Sequence, residues 1–177
     1  MSKESGPAES STRRFGKGMI VGAWVLLLAL LTLAFHSILE RQKNPNRTPV
    51  GQVDAQGVRQ VVLERNRAGH YVANGFINGS QVTFLLDTGA TDVAVSADLA
   101  SRLGLEKGLP FVSQTANGTV TSWRTHLDEV RIGSITLTGI RASILPSMTG
   151  MEVLLGMSFL KQLELVQRGG TLTLRQY

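Results

Sequence analysis

Along this chain the apolar residues first gather in one block and only later alternate with polar ones. Met19 to Phe35 (MIVGAWVLLLALLTLAF) carries no charge, and the uncharged run continues through His36 to Leu39. As a helix, residues 19–39 would extend about 31 Å at 1.5 Å per residue, which matches a bilayer core. Arg13, Arg14 and Lys17 flank the block on one side and Arg41, Lys43 and Arg47 on the other, with Trp24 about one turn inside the first interface. The block reads as an uncleaved transmembrane helix. A signal peptide would have an apolar region of about 7–15 residues ending in small residues, and Leu33-Ala34-Phe35-His36-Ser37 is a poor cleavage site. The balanced basic flanks leave the orientation open.

Beyond the block, Glu40 to Gln56 is polar, contains Pro45 and Pro49 and shows no apolar period, so 40–56 reads as a linker. Residues 57–177 are expected to fold, with order starting near Val58. Short β-type runs punctuated by glycine follow: Val58 to Glu64, His70 to Ile77 and Gln81 to Leu86. Asn78-Gly79 and Asn117-Gly118 predict tight hairpins, because a type I′ turn needs positive φ at both central residues. Gly133-Ser134 and Arg168-Gly169-Gly170 mark two more turns. Two short helices are expected. Ser96 caps Ala97 to Leu103 with Gly104 as the stop, and Met157 to Leu163 has helical apolar spacing. The class is all-β, a small closed or partly closed barrel of hairpins.

Composition narrows the function. The chain has 177 residues and a net charge of +5, but residues 1–39 hold four Lys/Arg against two acids, leaving 14 − 11 = +3 for the remainder. No basic stripe interleaved with aromatics appears, so nucleic acid is not expected as a partner. The absence of cysteine excludes disulfide scaffolds, Cys-ligated zinc and thiol nucleophiles, and agrees with an oxidising compartment. His36, His70 and His126 lack metal-ligand spacing, and the glycines form neither a P-loop nor a dinucleotide fingerprint. No metal and no cofactor is expected.

One segment carries chemistry. Phe84-Leu85-Leu86-Asp87-Thr88-Gly89-Ala90-Thr91 sets a carboxylate directly after three apolar residues, where its charge is costly unless shared or compensated. Thr88 adds a short hydroxyl, and Gly89 permits a sharp turn and close backbone approach. By itself Asp-Thr-Gly also suits an ordinary β-turn. Further on, Val153-Leu154-Leu155-Gly156 forms an apolar run that ends in glycine and leads into the second helix.

With both segments in this order, residues 58–177 resemble the retropepsin-like aspartic proteases, and with the preceding helix they look most like the membrane-anchored bacterial members of that clan. The resemblance implies an acid-protease barrel and an aspartic endopeptidase in which Asp87, Thr88 and Gly89 form the catalytic motif. It also implies that Ala90, Thr91, Leu155 and Gly156 border the substrate, that Gln114 to Val120 is a flap with Ala116, Asn117 and Gly118 at its tip, and that an extended peptide or protein is the substrate. Since the chain has one Asp-Thr-Gly, the second catalytic carboxylate is expected from Asp87 of another copy, in a homodimer. Thr91 stands where many viral members have an acid, and Met157 where they usually have Arg, so bracing of the dimer and subsite preference are expected to differ. The expected topology places 1–18 in the cytoplasm, 19–39 in the bacterial inner membrane and the protease domain in the periplasm. The rival reading is a non-catalytic, membrane-tethered β-domain of the same fold that binds a peptide or partner.

Overall fold

The computed structural model describes residues 9–115, 118–148 and 152–177. Contacts divide the chain into two compact units, Met1–Arg41 and Gln42–Tyr177. The first is helical. Helix α1 (Glu9–Lys43) starts before and ends after the expected 19–39. From Met19 to Lys43 it is long and apolar enough to cross a membrane, and Leu33 and Phe35 are 67% and 65% exposed.

The second unit is β-rich. Its strands are β1 (Gly51–Val53), β2 (Arg59–Glu64), β3 (Val72–Ile77), β4 (Ser80–Leu86), β5 (Val93–Ser96), β6 (Pro110–Thr115), β7 (Gly118–Ile132), β8 (Ile135–Leu145), β9 (Glu152–Leu155), β10 (Glu164–Arg168) and β11 (Thr171–Gln176). Two short helices interrupt them, α2 (Ala97–Arg102) and α3 (Met157–Leu160). One sheet runs β3-β4-β9-β5-β8-β7-β6, and an added β3–β7 pairing closes its first six strands into a barrel. Closure needs Gly75. A Cβ there would collide with the Arg131 carbonyl and lie 2.7 Å from the Phe84 ring, beside the point where Phe76 pairs with Arg131. A second sheet, β1-β2-β11-β10, is antiparallel throughout.

The local signals act as chemistry dictates. Asn78 and Gly79 take φ of 48° and 79° between β3 and β4, the pair of positive values a type I′ turn requires. Ser96 Oγ accepts the Leu99 N–H at 3.2 Å, and Gly104 follows α2 at φ 66°. Alternation buries Val82 and Phe84 of β4, Val153 and Leu155 of β9, and Ile140 and Ile144 of β8 in one core with Leu99 and Phe159. Val61, Leu63, Leu172 and Leu174 extend it beneath the second sheet. Each large side chain moved from water contributes about 1.5–3 kcal/mol, so the core dominates the stability of this unit.

Two expectations are corrected. Stretch 40–56 is not a free linker: α1 continues to Lys43, Asn46 bridges Ala73, and Gly51–Val53 pairs with β2. Polar side chains attach it instead of apolar ones, so it has no hydrophobic period. Asn46 is 7% exposed, donates through Nδ2 to the Glu64 and Val72 carbonyls at 2.9 and 2.8 Å, and accepts the Glu64 N–H at 2.7 Å. The helix expected over Met157 to Leu163 stops at Leu160. Its last residues continue as turns with Gln162 N–H to Phe159 and Leu163 N–H to Leu160.

Candidate active site

Asp87 lies where two parallel strands end side by side. In register, Phe84 faces Val153, Leu85 faces Leu154 and Leu86 faces Leu155, so the Asp-Thr-Gly loop after β4 leaves the barrel beside the Gly156 turn after β9. The ends that lie side by side, Phe84-Leu85-Leu86 and Val153-Leu154-Leu155, are apolar, with Phe84, Val153 and Leu155 fully buried. The Asp87 N–H donates to the Leu155 carbonyl at 3.2 Å, and the Ala90 N–H returns to the Asp87 carbonyl at 3.2 Å. The half-buried Asp87 carboxylate accepts the Gly89 N–H through Oδ1 at 2.8 Å. A Cβ on Gly89 would stand 3.1 Å from that oxygen, which is why glycine suits the turn. Thr88 and Gly89 are exposed beside it.

The second segment locks the first. Gly156 opens α3 without a capping side chain, and the loop after Asp87 satisfies the helix instead: the Met157 N–H donates to the Ala90 carbonyl at 2.8 Å and the Ser158 N–H to that of Thr91 at 2.9 Å. A Cβ on Gly156 would collide with the Asp92 carbonyl and lie 2.6 Å from that of Ala90. Ser158, buried, accepts the Val93 N–H at 3.0 Å and donates to the Arg141 carbonyl at 2.8 Å, tying α3 to β5 and β8. Asp92 Oδ1 meets Arg141 Nη2 at 3.1 Å.

A cleft of about 270 Å³ opens over this loop, walled by Ala90, Thr91 and Asp92 on one side and by Phe111, Ser113 and Gln114 of β6 on the other. Leu145 and Leu154 contribute apolar floor. Arg124 stacks over Phe111 at 5.4 Å and Lys107 over Trp123 at 4.7 Å, so cations pack against the aromatics of the β6–β7 arm.

Of the expected site residues Gly89, Ala90 and Thr91 line the cleft, Asp87 and Thr88 precede them on the same loop without lining it, and Gly118 stands across a hairpin register from Thr115. Ala116 and Asn117 lie outside the described residues. Two expected substrate contacts are corrected. Leu155 is wholly buried and Gly156 is packed against the carbonyls of Ala90 and Asp92, because the pleat turns Leu154 to the cleft and Leu155 to the core. Ser158 and Arg141 escaped sequence reasoning. Ser158 had a faint signal, a hydroxyl inside an otherwise apolar turn; Arg141 had none, because only the parallel pairing of β5 with β8 brings its strand beside the Asp87 loop.

Comparison with known proteins agrees with this geometry. The family model described as gag-polyprotein putative aspartyl protease matches residues 73–162. An uncharacterized protein from the cobV 5′ region of Sinorhizobium sp. is 32% identical over 169 residues, covering 89% of this chain and 72% of that protein. An uncharacterized protein of Rickettsia prowazekii (strain Madrid E) is 30% identical over 80 residues, 44% of this chain and 35% of its own length. The crystal structure of a retropepsin-like aspartic protease from Rickettsia conorii is similar with a TM-score of 0.57 at 25% identity, covering 71% of this chain and 94% of that one. The chain with its Asp87-Thr88-Gly89 loop therefore belongs to the gag-polyprotein putative aspartyl protease family and has the retropepsin-like fold.

Proposed function

We propose that this protein is an aspartic endopeptidase whose active form is a homodimer with one dyad made from two copies of Asp87. The observation that carries the reading is the state of the acids at the cleft. Asp87 is fixed by backbone bonds with one carboxylate oxygen on Gly89, on the loop that leads into the cleft wall, while Asp92, the acid on that wall, is engaged by Arg141. A second copy supplies the missing partner. Two carboxylates about 3 Å apart hold one proton between them. The ionised one takes a proton from water, whose oxygen attacks the peptide carbonyl carbon, and the protonated one gives its proton to the carbonyl oxygen. Collapse of the tetrahedral gem-diol breaks the C–N bond as the proton gained from water passes to the leaving nitrogen and the other carboxylate takes a proton back from one hydroxyl, so that the dyad again holds one proton. No metal or cofactor takes part.

In this reading Ala90 and Thr91 border an extended peptide, and the hairpin tip with Ala116, Asn117 and Gly118 covers it. Residues 19–39 anchor the chain in the inner membrane, 1–18 stay in the cytoplasm and the protease domain works in the periplasm. Protease added to spheroplasts then digests the β domain; protection until lysis reverses the orientation.

The decisive test follows cleavage of an unbiased peptide library by the full chain and by Asp87→Asn. The amide is nearly isosteric but cannot exchange the proton, so the expected loss is on the order of 10⁴-fold with the fold retained. Mixing the two chains should lower activity as the square of the wild-type fraction. A linear fall means each chain works alone, and retained peptide binding without any cleavage by wild type favours the non-catalytic β-domain.

A further inference from the structure

The chain enters the β-rich unit through a clasp of asparagines, and cations surround the entry. Asn66 Nδ2 donates to the Lys43 carbonyl at 3.0 Å, Asn44 Nδ2 to Asn74 Oδ1 at 2.8 Å, and Asn46 binds β2 and β3 as described above. The clasp fixes residues 43–46 against one end of this unit. At that end the turn from Asn66 to His70 is closed by Asn66 N–H to the His70 carbonyl at 2.8 Å and Gly69 N–H to the Asn66 carbonyl at 3.0 Å, with Arg67 exposed on it. The Arg65 N–H donates to the Gly170 carbonyl at 2.8 Å, which draws the β10–β11 turn and Arg168 alongside. Arg65, Arg67 and Arg168 are exposed, and among the described residues none of them enters an ion pair. His70 and the acid Glu64 are also exposed at this end, so the three guanidinium groups and Lys43 outnumber the acid.

We propose that Arg65, Arg67 and Arg168, grouped around the point where the chain enters the β domain at Lys43, dock that domain onto an anionic phospholipid surface. The inference rests on residues 19–39 being a membrane anchor. Lys43 is the fourth residue after Leu39, and even an extended chain reaches at most about 14 Å over those four steps. The clasp lets no further slack out, so the cations are confined near the headgroups, where a charge is felt over a Debye length of about 8 Å. A peptide substrate is a poor occupant because the cleft has other walls. A second copy would set like charges against each other.

The absence of cysteine permits a single label at Ala68→Cys, on the exposed turn. The full chain carries a donor there, in nanodiscs with headgroup-labelled acceptor lipid, made of phosphatidylcholine alone or with roughly 30% phosphatidylglycerol. Energy transfer should rise with the anionic lipid and fall again when salt is raised from about 50 to about 500 mM. Each arginine is worth about fivefold at such a surface, so Arg168→Gln should weaken docking about fivefold and the triple Arg→Gln variant on the order of 100-fold. The salt response of wild type reads the same docking without any variant. Equal transfer in both lipids, with the chain floating with the discs, overturns the docking alone. A chain that does not float removes the anchor and the docking with it. Transfer that follows the protein-to-disc ratio but not lipid charge gives the patch to a second copy and also overturns it.

Discussion

The loop around Asp87 and the outer face of the β1-β2-β11-β10 sheet use the same polar groups to opposite effect. At the loop, Gly156 and Ser158 are buried, and the carbonyls of Ala90 and Thr91 accept helix N–H groups that would otherwise be stranded. On the sheet, Arg175, Glu164, Gln60 and Tyr177 form a chain of contacts in the open: Arg175 Nε to Gln60 Oε1 at 3.0 Å, Arg175 Nη1 to Glu164 Oε2 at 3.4 Å and Tyr177 Oη to the same carboxylate oxygen at 2.7 Å. Burial makes the difference. A lost partner in a low-dielectric site leaves an unpaid desolvation, whereas water replaces an exposed one. The bonded loop can therefore hold the Asp87 carboxylate in one position, while the sheet's polar face is free to change.

The largest expected effect tests the tightest contact. Gly156→Ala drives a Cβ into backbone, not into a side chain that could rotate away, so the β4 and β9 loops must separate. A loss of about 2–4 kcal/mol in chemical denaturation is expected, with cleavage lost as Asp87 shifts. An unchanged midpoint would show that the loops are loosely joined and that the contrast with the sheet is overdrawn.

Ser158→Ala sharpens the same contrast. The methyl fits, but the Val93 N–H loses its acceptor and the Arg141 carbonyl its donor inside the protein. About 1–3 kcal/mol is expected from thermal unfolding, more than any single polar change on the outer sheet face. Arg141→Ala should cost less, roughly 0–1 kcal/mol, because its side chain is 56% exposed where it meets Asp92.

How far the sequence discloses these regions follows from the range of the forces involved. Turns and caps are local, so Asn78-Gly79 and Ser96 could be read directly, and the two apolar runs at Asp87 and Gly156 could be matched to a family. What could not be read is long-range. The parallel pairing of β4 with β9 and of β5 with β8 joins segments about 50–70 residues apart, and nothing in either partner names the other. The stretch with Asn44 and Asn46 looked like a linker because hydrogen bonds leave no periodic trace. The burial of Leu155 rather than Leu154 turned on the phase of a pleat, which a run of identical residues conceals.

The smallest effect lies on the open sheet and has a pH signature. The Tyr177 hydroxyl donating to Glu164 is the chief cause that holds this carboxyl below its ordinary 4.5, against a desolvation that raises it, with Arg175 adding to the lowering. The same bond holds the Tyr177 hydroxyl above its ordinary 10.0. A carboxyl lowered in the fold stabilises it above its unfolded value and loses that contribution as pH falls through the folded one. A phenol raised in the fold stabilises below its unfolded value and loses the contribution as pH rises through the folded one. Tyr177→Phe should therefore lower stability slightly across neutral pH, with its deficit flat there and vanishing in acid below the Glu164 titration and in strong alkali. Thermal midpoints of wild type and variant across pH 3 to 11 read this directly. Both groups face water, so the deficit should be smaller than that of Ser158→Ala at every pH. A deficit as large as the buried serine's would mean that this corner is covered in the working protein, and the division between a buried, rigid loop and an open sheet face would have to be redrawn.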